Sequence, residues 1–347
     1  MERIIRKIAS EAGDITLIRL VNDHGAWVEL STLGAGIVGL GVPDKQGNIE
    51  NVALCYANPA DYLNDGPCMG KIPGRYANRI AKGHFSIDGK EYSLAVNNGP
   101  NALHGGPTGF QNRIWEYSEL PNGVRFTYRS ADGEEGYPGN VEVKADYIWT
   151  ENDILDLYLR AVTDAPTVIN LTNHCYWNLR GATSGSVLGH ELRLNASRWL
   201  PTDDTLIPTG ELAAVEGTPM DFRAAKPLGR DIDADFPALR YGKGYDNCWA
   251  VDDWRADEEM TVAELYDPKS GRRLSVRSTQ PGVQVYTGNW LAGSPLSKSG
   301  RPYADYDGVA IECQGFPDAP NRPDFPSAEL RPGEAYRRTI RFRFDVR

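Results

Sequence analysis

The sequence predicts an all-β protein built from packed antiparallel sheets. Two observations point to this class. In several segments apolar and polar residues alternate with a period of two, as in strands that bury one face. In addition, 36 glycines and 23 prolines divide the 347 residues into short segments, which leaves little room for long helices. Together these features favour sheets packed on sheets.

The alternation is clearest in three segments, residues 141–149, 155–160 and 340–346. In the first, Val, Ala, Tyr and Trp alternate with Glu, Lys and Asp, and in the last, Ile, Phe and Val alternate with Arg and Asp. A sheet that faces water on one side shows this pattern when its strands are antiparallel. We therefore predict antiparallel strands with one buried face in all three segments.

Helices are predicted to form only a minor part of the secondary structure. One or two helical turns are expected in NPADYLND (58–65) and near residues 224–232. The segment STLGAGIVGLG (31–41) matches the dinucleotide-binding pattern G-x-G-x-x-G, but no helical period follows its third glycine. We interpret it as a glycine-rich strand or turn and infer no nicotinamide cofactor.

The chain is predicted to form a single domain over residues 1–347. Its composition, 41% hydrophobic and 10% aromatic, supplies enough apolar surface for a large core, and β-sandwiches often exceed about 200 residues as one unit. No repeat, low-complexity tract or linker marks a boundary. Prolines 317, 320, 323 and 326 indicate a stiff loop, yet a further strand follows.

Charge and cysteine usage limit the partners and the compartment. The formal net charge of −10 disfavours nucleic acid and anionic membranes as partners. No apolar run reaches the ~18 residues of a membrane-spanning helix, and the first residues lack a signal-peptide core, so a cytoplasmic protein is expected. The five cysteines are odd in number and lack C-x-x-C spacing, which predicts buried reduced thiols rather than disulfides or a zinc site.

Three strand-like segments carry polar side chains opposite an apolar face. In NLTNHCYWNL (170–179), a two-residue period places His174 with the polar residues and away from Leu171 and Trp177. Glu312 in GVAIECQGF and Gln284 in PGVQVYTGNW are placed in the same way. These faces predict a polar, aromatic-lined cleft, and an ordinary solvated sheet face remains the alternative.

Further candidate residues lie in loops. An ordinary turn or surface position is the alternative for each of them: His104 in NALHGG, Asp246 in YDNCW, and Arg75, Asn78 and Arg79 in GRYANRIAKG. No H-E-x-x-H or similar spacing indicates a metal site, and no required metal is predicted. Surface or loop positions are predicted for the remaining histidines, His24, His84 and His190.

Six segments, in this order along the chain, resemble the aldose 1-epimerases, also called galactose mutarotases. The segments are GRYANRIAKGHFSIDGKEYSL (74–94), NALHGGPTGF (101–110), NLTNHCYWNL (170–179), GYDNCW (244–249), PGVQVYTGN (281–289) and ECQGFPDAPN (312–321). The resemblance extends from about residue 30 to the C-terminus. An ordered set of six is far more specific than any one segment.

The resemblance implies a large antiparallel β-sandwich with a concave sugar-binding cleft. It implies that Glu312 is the general base and His174 the general acid. It also implies that the sugar is bound and oriented by five further residues: His104, Arg79, Asn78, Asp246 and Gln284. Cys175 and Cys313 stand where small polar residues are expected, a departure that bears on sugar preference more than on chemistry.

The implied reaction interconverts the α and β anomers of a free hexose such as glucose or galactose. One group removes the O1 proton while another protonates the ring oxygen, the ring opens, and it recloses on the other face. Glutamate and histidine suit this task, with reference pKa values of about 4.3 and 6.5. Because burial alone lowers a histidine pKa, we predict an acidic neighbour or a sugar-induced shift, and a bell-shaped pH profile. The chemistry needs neither metal nor cofactor.

Three other functions remain open from the sequence. A non-catalytic carbohydrate-binding protein would use the same cleft, and a glycoside hydrolase would use Glu312 and Asp246 as paired carboxylates. A hexose-6-phosphate 1-epimerase would need additional basic residues for the phosphate. In each case the partner is a small-molecule sugar. The sequence leaves the preferred aldose open, and the protein is a monomer or a homodimer.

Overall fold

Strands dominate the computed structural model, which describes residues 1–63 and 65–347. The strands of the first part of the chain are β1 (Glu2–Ile8), β2 (Ile15–Val21), β3 (Trp27–Ser31), β4 (Gly36–Pro43), β5 (Ile49–Asn51), β6 (Arg79–Ile80), β7 (His84–Ile87), β8 (Lys90–Ser93) and β9 (Ala102–Leu103). Those of the middle are β10 (Glu116–Leu120), β11 (Gly123–Ser130), β12 (Val141–Trp149), β13 (Ile154–Thr163), β14 (Thr167–Val168), β15 (Tyr176–Trp177), β16 (Glu191–Leu194) and β17 (Arg198–Trp199). The remaining strands are β18 (Ala213–Ala214), β19 (Lys226–Pro227), β20 (Asp246–Ala250), β21 (Met260–Tyr266), β22 (Arg272–Ser278), β23 (Gly282–Tyr286), β24 (Val309–Gln314), β25 (Glu329–Leu330) and β26 (Tyr336–Val346).

Helical structure is scarce. The described residues contain one α-helix, α1 (Pro237–Gly242), which starts with a proline in its first turn and ends at Lys243 in a left-handed conformation. Short 3₁₀ helices occupy Pro59–Tyr62, Ala81–Gly83, Phe110–Asn112, Glu134–Gly136, Leu228–Arg230 and Ala319–Asn321. The described part of the chain has no helix long and apolar enough to cross a membrane.

The strands form three large antiparallel sheets. Their orders are β1-β2-β3-β4-β5, β10-β11-β12-β13-β26-β22-β21-β16-β19 and β15-β24-β23-β20-β17-β18. Three small two-strand sheets, β14-β25, β6-β9 and β7-β8, border them. One core cluster contains Leu30 from the first sheet, Leu157 from the nine-stranded sheet and Ile311 from the six-stranded sheet. The protein is therefore a large antiparallel β-sandwich, as predicted.

The alternating segments form the predicted strands. Residues 141–149 form β12, and the other two segments lie within β13 and β26. Along β12 the residues of one face, Val141, Val143, Ala145, Tyr147 and Trp149, are buried, while Glu142, Lys144 and Ile148 on the other face are less so. The glycine-rich segment forms the end of β3, a turn and the start of β4, as interpreted from the sequence. All five cysteines are buried with free thiols.

The helix predictions hold only in part. NPADYLND contains the 3₁₀ helix Pro59–Tyr62, and its Asn64 lies outside the described residues. Near 224–232 the chain forms β19 and then the 3₁₀ helix Leu228–Arg230, whereas α1 was not predicted. In NLTNHCYWNL only Tyr176 and Trp177 form a strand, and every residue of that segment is buried.

Two residues for which the sequence left a surface position open are buried, although His190 lies in a loop just before β16, as predicted. His190 is fully buried, where its Nε2 accepts a hydrogen bond from the Leu179 backbone N–H at 2.9 Å. Arg75 is 1% exposed, and its guanidinium donates to the Pro138 carbonyl (2.6 Å) and the Ser130 hydroxyl (2.6 Å). The partners of Arg75 are 63 and 55 residues away in sequence, so local composition could not reveal its burial. His24 and His84 are exposed, as predicted.

Candidate active site

A cleft of about 720 Å³ opens on the face of the six-stranded sheet that points away from the main core. Six of the seven predicted site residues line it: Asn78, Arg79, His104, His174, Asp246 and Glu312. The seventh, Gln284, does not line the cleft but bonds to Asp246, which does. The structure thus brings together residues from segments that span most of the sequence.

Antiparallel register places the cleft residues in rows across the sheet. Gln284 on β23 is opposite Glu312 on β24 and, on its other side, opposite Cys248 on β20. The next row contains Asp246 and Tyr286. Because side chains two residues apart on a strand share a face, Asp246, Gln284, Tyr286 and Glu312 all point to the same side of the sheet. This is the face that the sequence predicted to be polar.

Glu312 and His174 meet at the floor of the cleft. The distance from His174 Nε2 to Glu312 Oε1 is 3.5 Å, and the side chains are only 6% and 2% exposed. Among the described residues, neither Glu312 Oε2 nor His174 Nδ1 has a hydrogen-bond partner. An acid and a base therefore lie side by side with unused hydrogen-bonding capacity, which a bound polar ligand can engage.

Burial moves the two pKa values in opposite directions. Desolvation raises the pKa of Glu312 well above its usual value, and the Asp246 charge adds to the rise. Desolvation lowers the pKa of His174 to about 4. The predicted acidic neighbour of the histidine is present as Glu312. The two shifts favour a protonated Glu312 beside an uncharged His174, which together carry one proton, and a sugar-induced shift stays a prediction.

His104 and Asn78 hold each other in a left-handed backbone conformation. Their φ angles are +53° and +67°, which is costly for residues with a side chain and is often found at functional sites. The Asn78 backbone N–H donates to His104 Nδ1, and the His104 backbone N–H donates to the Asn78 carbonyl, both at 3.1 Å. Nδ1 is thus an acceptor, which leaves the proton on Nε2. Desolvation, then the charges of His174 and Arg79, lower the pKa of His104 well below its usual value.

Arg79, Asp246 and Gln284 form a polar chain along one wall. Arg79 Nη2 lies 3.6 Å from Asp246 Oδ2, and Arg79 Nε donates to Asn98 Oδ1 at 3.0 Å. Gln284 Nε2 donates to Asp246 Oδ1 at 2.7 Å, while its own Oε1 has no partner within the described ranges. Arg79 and Gln284 hold the carboxylate of Asp246 from two sides, so a ligand hydroxyl would meet this carboxylate in one orientation.

The tyrosines of the cleft agree with the aromatic lining that the sequence predicted, whereas Trp290 and one of the loops were missed. Tyr176 and Tyr286 line the cleft and lie two residues from His174 and Gln284, on the faces given by the two-residue period. Trp290 at the mouth is 65% exposed, which is unusual for so large an apolar side chain. Residues 204–206 also line the cleft, and nothing in their local sequence signals this.

Comparisons with known proteins agree with this geometry. The family model for aldose 1-epimerase matches residues 16–343. The chain is 42% identical to the galactose mutarotase of Homo sapiens over 343 residues, covering 99% of this chain and 98% of that one. It is 36% identical to the aldose 1-epimerase of Escherichia coli K12 over 340 residues, covering 97% of each. A solved aldose epimerase homologue from C. elegans superposes with a TM-score of 0.87 at 31% identity, covering 95% of this chain and 98% of that one.

Proposed function

The chain belongs to the aldose 1-epimerase family of isomerases, which act on small sugars, and we propose that Glu312 and His174 carry out its acid/base chemistry. Glu312 is the base that removes the O1 proton, and His174 is the acid that protonates the ring oxygen. The observation that carries this proposal is their 3.5 Å contact at the floor of the cleft. Two groups so close can both reach one hexose.

The proton balance closes within the pair. Binding a sugar brings hydroxyl groups to the unpartnered oxygen of Glu312, and hydrogen bonds to a carboxylate favour its charged form. The single proton of the pair then resides on His174. Transfer of this proton to the ring oxygen and of the O1 proton to Glu312 opens the ring. After rotation about the C1–C2 bond, the two groups act in reverse and yield the other anomer.

The remaining cleft residues are proposed to bind and orient the sugar. His104 donates through Nε2, because its Nδ1 accepts from the Asn78 backbone. Asn78, Arg79 and Asp246 offer further polar groups to the hydroxyls. For Gln284, support is stronger for an indirect role, since it bonds to Asp246 and does not line the cleft. Direct contact between Gln284 and the sugar stays a prediction.

The charges of the cleft favour a neutral hexose. Among the described lining residues, Arg79 is the one arginine and no lysine is present, and Arg79 is already near Asp246. Asp204, Asp246 and Glu312 also line the cleft, so a sugar phosphate would meet carboxylates without a free cation. We therefore propose free galactose or glucose as substrate and rank hexose 6-phosphates below them.

Three proposals concern the whole chain. Residues 1–347 act as one domain, which is supported by the core cluster shared by the three large sheets. One chain supplies the complete site, whether the protein is a monomer or a homodimer. A cytoplasmic location is supported by five buried free thiols, which suit a reducing compartment.

The test is the exchange rate between anomers, measured by NMR on galactose and glucose. Glu312→Gln and His174→Asn should each lower kcat by about 10²- to 10⁴-fold, the range of a single acid or base. Glu29→Gln is the matched control, because Glu29 is equally buried at 2% exposure but lies in β3, outside the cleft. If Glu312→Gln kept the wild-type rate, Glu312 could not be the base.

A further inference from the structure

We propose that the buried ion pair of Asp65 and Lys71 is a positioning device for His174. The pair fixes the turn of residues 65–71, and the backbone of this turn holds the segment that carries the imidazole. The inference deepens the proposed function and rests on the role of His174 as the acid. Neither Asp65 nor Lys71 lines the cleft.

The ammonium group of Lys71 is fully buried and has three oxygen neighbours. Both side chains of the pair have no exposed surface, and Lys71 Nζ contacts Asp65 Oδ1 directly. Lys71 Nζ also donates to the Tyr62 carbonyl at 2.6 Å and to Asn112 Oδ1 at 3.1 Å. One ion-pair contact and two hydrogen bonds thus surround the ammonium group. A buried charge persists only when it is paired in this way.

Asp65 connects this charge to the backbone of the turn. Its Oδ2 accepts from the Met69 backbone N–H at 2.9 Å and from the Tyr56 hydroxyl at 3.0 Å. Within the turn, Cys68 and Gly70 have positive φ angles of +54° and +72°. At Gly70 a Cβ would lie 2.0 Å from the Ile37 carbonyl oxygen, so no other residue fits there without a shift. The ion pair therefore stabilises a turn that has few alternatives.

The turn of residues 65–71 holds the segment around His174 by hydrogen bonds. The His174 backbone N–H donates to the Lys71 carbonyl at 2.9 Å, and the Gly70 N–H donates to the His174 carbonyl at 2.8 Å. Asn173 Nδ2 donates to the Gly70 carbonyl at 2.7 Å, and the Tyr176 hydroxyl donates to the Pro67 carbonyl at 2.9 Å. Both backbone groups of His174 are therefore bonded to the turn.

The direction of the His174 ring depends on these backbone hydrogen bonds, because a side-chain partner is missing among the described residues. A catalytic imidazole is commonly oriented by a hydrogen bond to its second nitrogen. In the described part of the chain His174 Nδ1 has no such partner. Its ring instead packs against His104, Tyr176 and Tyr286, with centroids 5.0–6.3 Å apart. Ring contacts and the backbone grip are left to set its direction.

The Lys71 charge also acts on the titration of His174. After burial, it contributes to the lowering of the His174 pKa. Removing the charge should therefore raise that pKa, which gives a readout separate from folding. The acid limb of the pH profile is the fall in activity on its acidic side. A residue with a purely structural role would change the melting temperature without moving this acid limb.

The experiment compares Lys71→Met and Tyr56→Phe with wild type by anomer-exchange NMR. Lys71→Met should lower kcat by about 10- to 100-fold with KM within about twofold, because a small displacement of a catalytic group costs rate rather than affinity. Its acid limb in kcat/KM should move to higher pH. Tyr56→Phe removes one hydrogen bond to Asp65 without burying a lone charge, and should lower kcat by about twofold to fivefold.

Arg180→Met is the matched control, since Arg180 is the partner of another buried carboxylate, Asp267, and does not line the cleft. It should lower the melting temperature and leave kcat and the pH profile unchanged. The proposal is overturned if Lys71→Met folds and keeps the wild-type kcat and acid limb. If Lys71→Met does not fold, a wild-type kcat and pH profile in Tyr56→Phe overturn it. Failure of the proposed function appears separately, as an active His174→Asn variant.

Discussion

The described residues contain two buried pairs of histidine and carboxylate, one in the cleft and one outside it. In the cleft, His174 lies beside Glu312, and elsewhere His190 lies beside Asp267 at 4.0 Å. Burial lowers the pKa of both histidines to about 4. The carboxylates behave in opposite ways, because the pKa of Glu312 is raised and that of Asp267 is lowered.

The partners of the carboxylates account for this difference. Burial alone would raise the pKa of Asp267, but a hydrogen bond from the Ser270 backbone (2.8 Å), the His190 charge and Arg180 (3.1 Å) lower it. Glu312 has no comparable donors within the described residues, and one of its oxygens is unpartnered. Saturated hydrogen bonding makes a buried carboxylate structural, while unused capacity keeps it available for a proton and a substrate.

The largest expected effect separates the two carboxylates by activity. Glu312→Gln should lower kcat by about 10²- to 10⁴-fold, because the amide cannot accept the O1 proton. Asp267→Asn should leave kcat unchanged, since Asp267 lies outside the cleft. Anomer exchange measured by NMR compares the two variants directly. An equal loss of kcat in both would erase the distinction between a reactive and a structural pair.

The second prediction concerns the pH dependence of kcat/KM. The active pair holds one proton, and this state persists from the low pKa of His174, about 4, up to the raised pKa of Glu312. Below about pH 4 the pair gains a second proton, so kcat/KM should fall by about tenfold per pH unit. Polarimetry with the uncatalysed rate subtracted measures this limb. An acid limb centred near the ordinary histidine value, about 6.5, would contradict the effect of burial.

The third prediction concerns folding stability, to which Asp267 should contribute more than Glu312. Asp267→Asn should lower the free energy of unfolding by about 3 kcal/mol, because it removes charge-assisted hydrogen bonds from Arg180 and the Ser270 backbone. Glu312→Gln should cost little, or stabilise the protein, since the native carboxylate is desolvated and poorly paired. Urea denaturation at neutral pH measures both. A larger loss for Glu312→Gln would show that its carboxylate is structural as well.

The smallest expected effect is the contribution of His190 to acid sensitivity. The folded protein holds this histidine neutral down to about pH 4, whereas the unfolded chain binds the proton near pH 6.5. The unfolded state therefore binds more protons in this window, so stability is lost as pH falls through it. At pH 5, His190→Gln should remove about 2 kcal/mol of this loss. Urea denaturation at several pH values tests it, and an unchanged slope would mean that His190 is protonated in the folded state.

Much of the fold was predictable because strand alternation is a local signal. Residues 141–149 alternate in the sequence, and they form β12 with the expected buried face. The alternation could not predict that NLTNHCYWNL is buried on both faces. There the polar face is covered by the turn of residues 65–71, whose contacts are about 100 residues away in sequence. A period of two distinguishes two faces but does not reveal what covers each.

In the candidate site, too, residues with a signal in the sequence were predicted, and residues placed by contacts distant in sequence were missed. His174 and Glu312 were indicated by strand faces and by the family resemblance, and Asp246 by the resemblance as a loop candidate; all three line the cleft. The burial of Arg75 was missed because its partners lie far along the chain, and that of His190 because it packs beside the distant Asp267. Asp204 was missed because long-range bonds place its loop, such as that from Asn101 Nδ2 to the Thr205 carbonyl at 3.3 Å.

The cleft floor is made of strands and its rim of loops, and this division affects how the protein can change. Shifting the register of β23 or β24 by one residue would turn Gln284 or Glu312 into the core, so insertions and deletions in the floor would abolish the reaction. The loops at 204–206 and 290–295 carry no such constraint. New sugar preferences should therefore evolve, or be engineered, by altering the rim while the reaction beneath it is inherited intact.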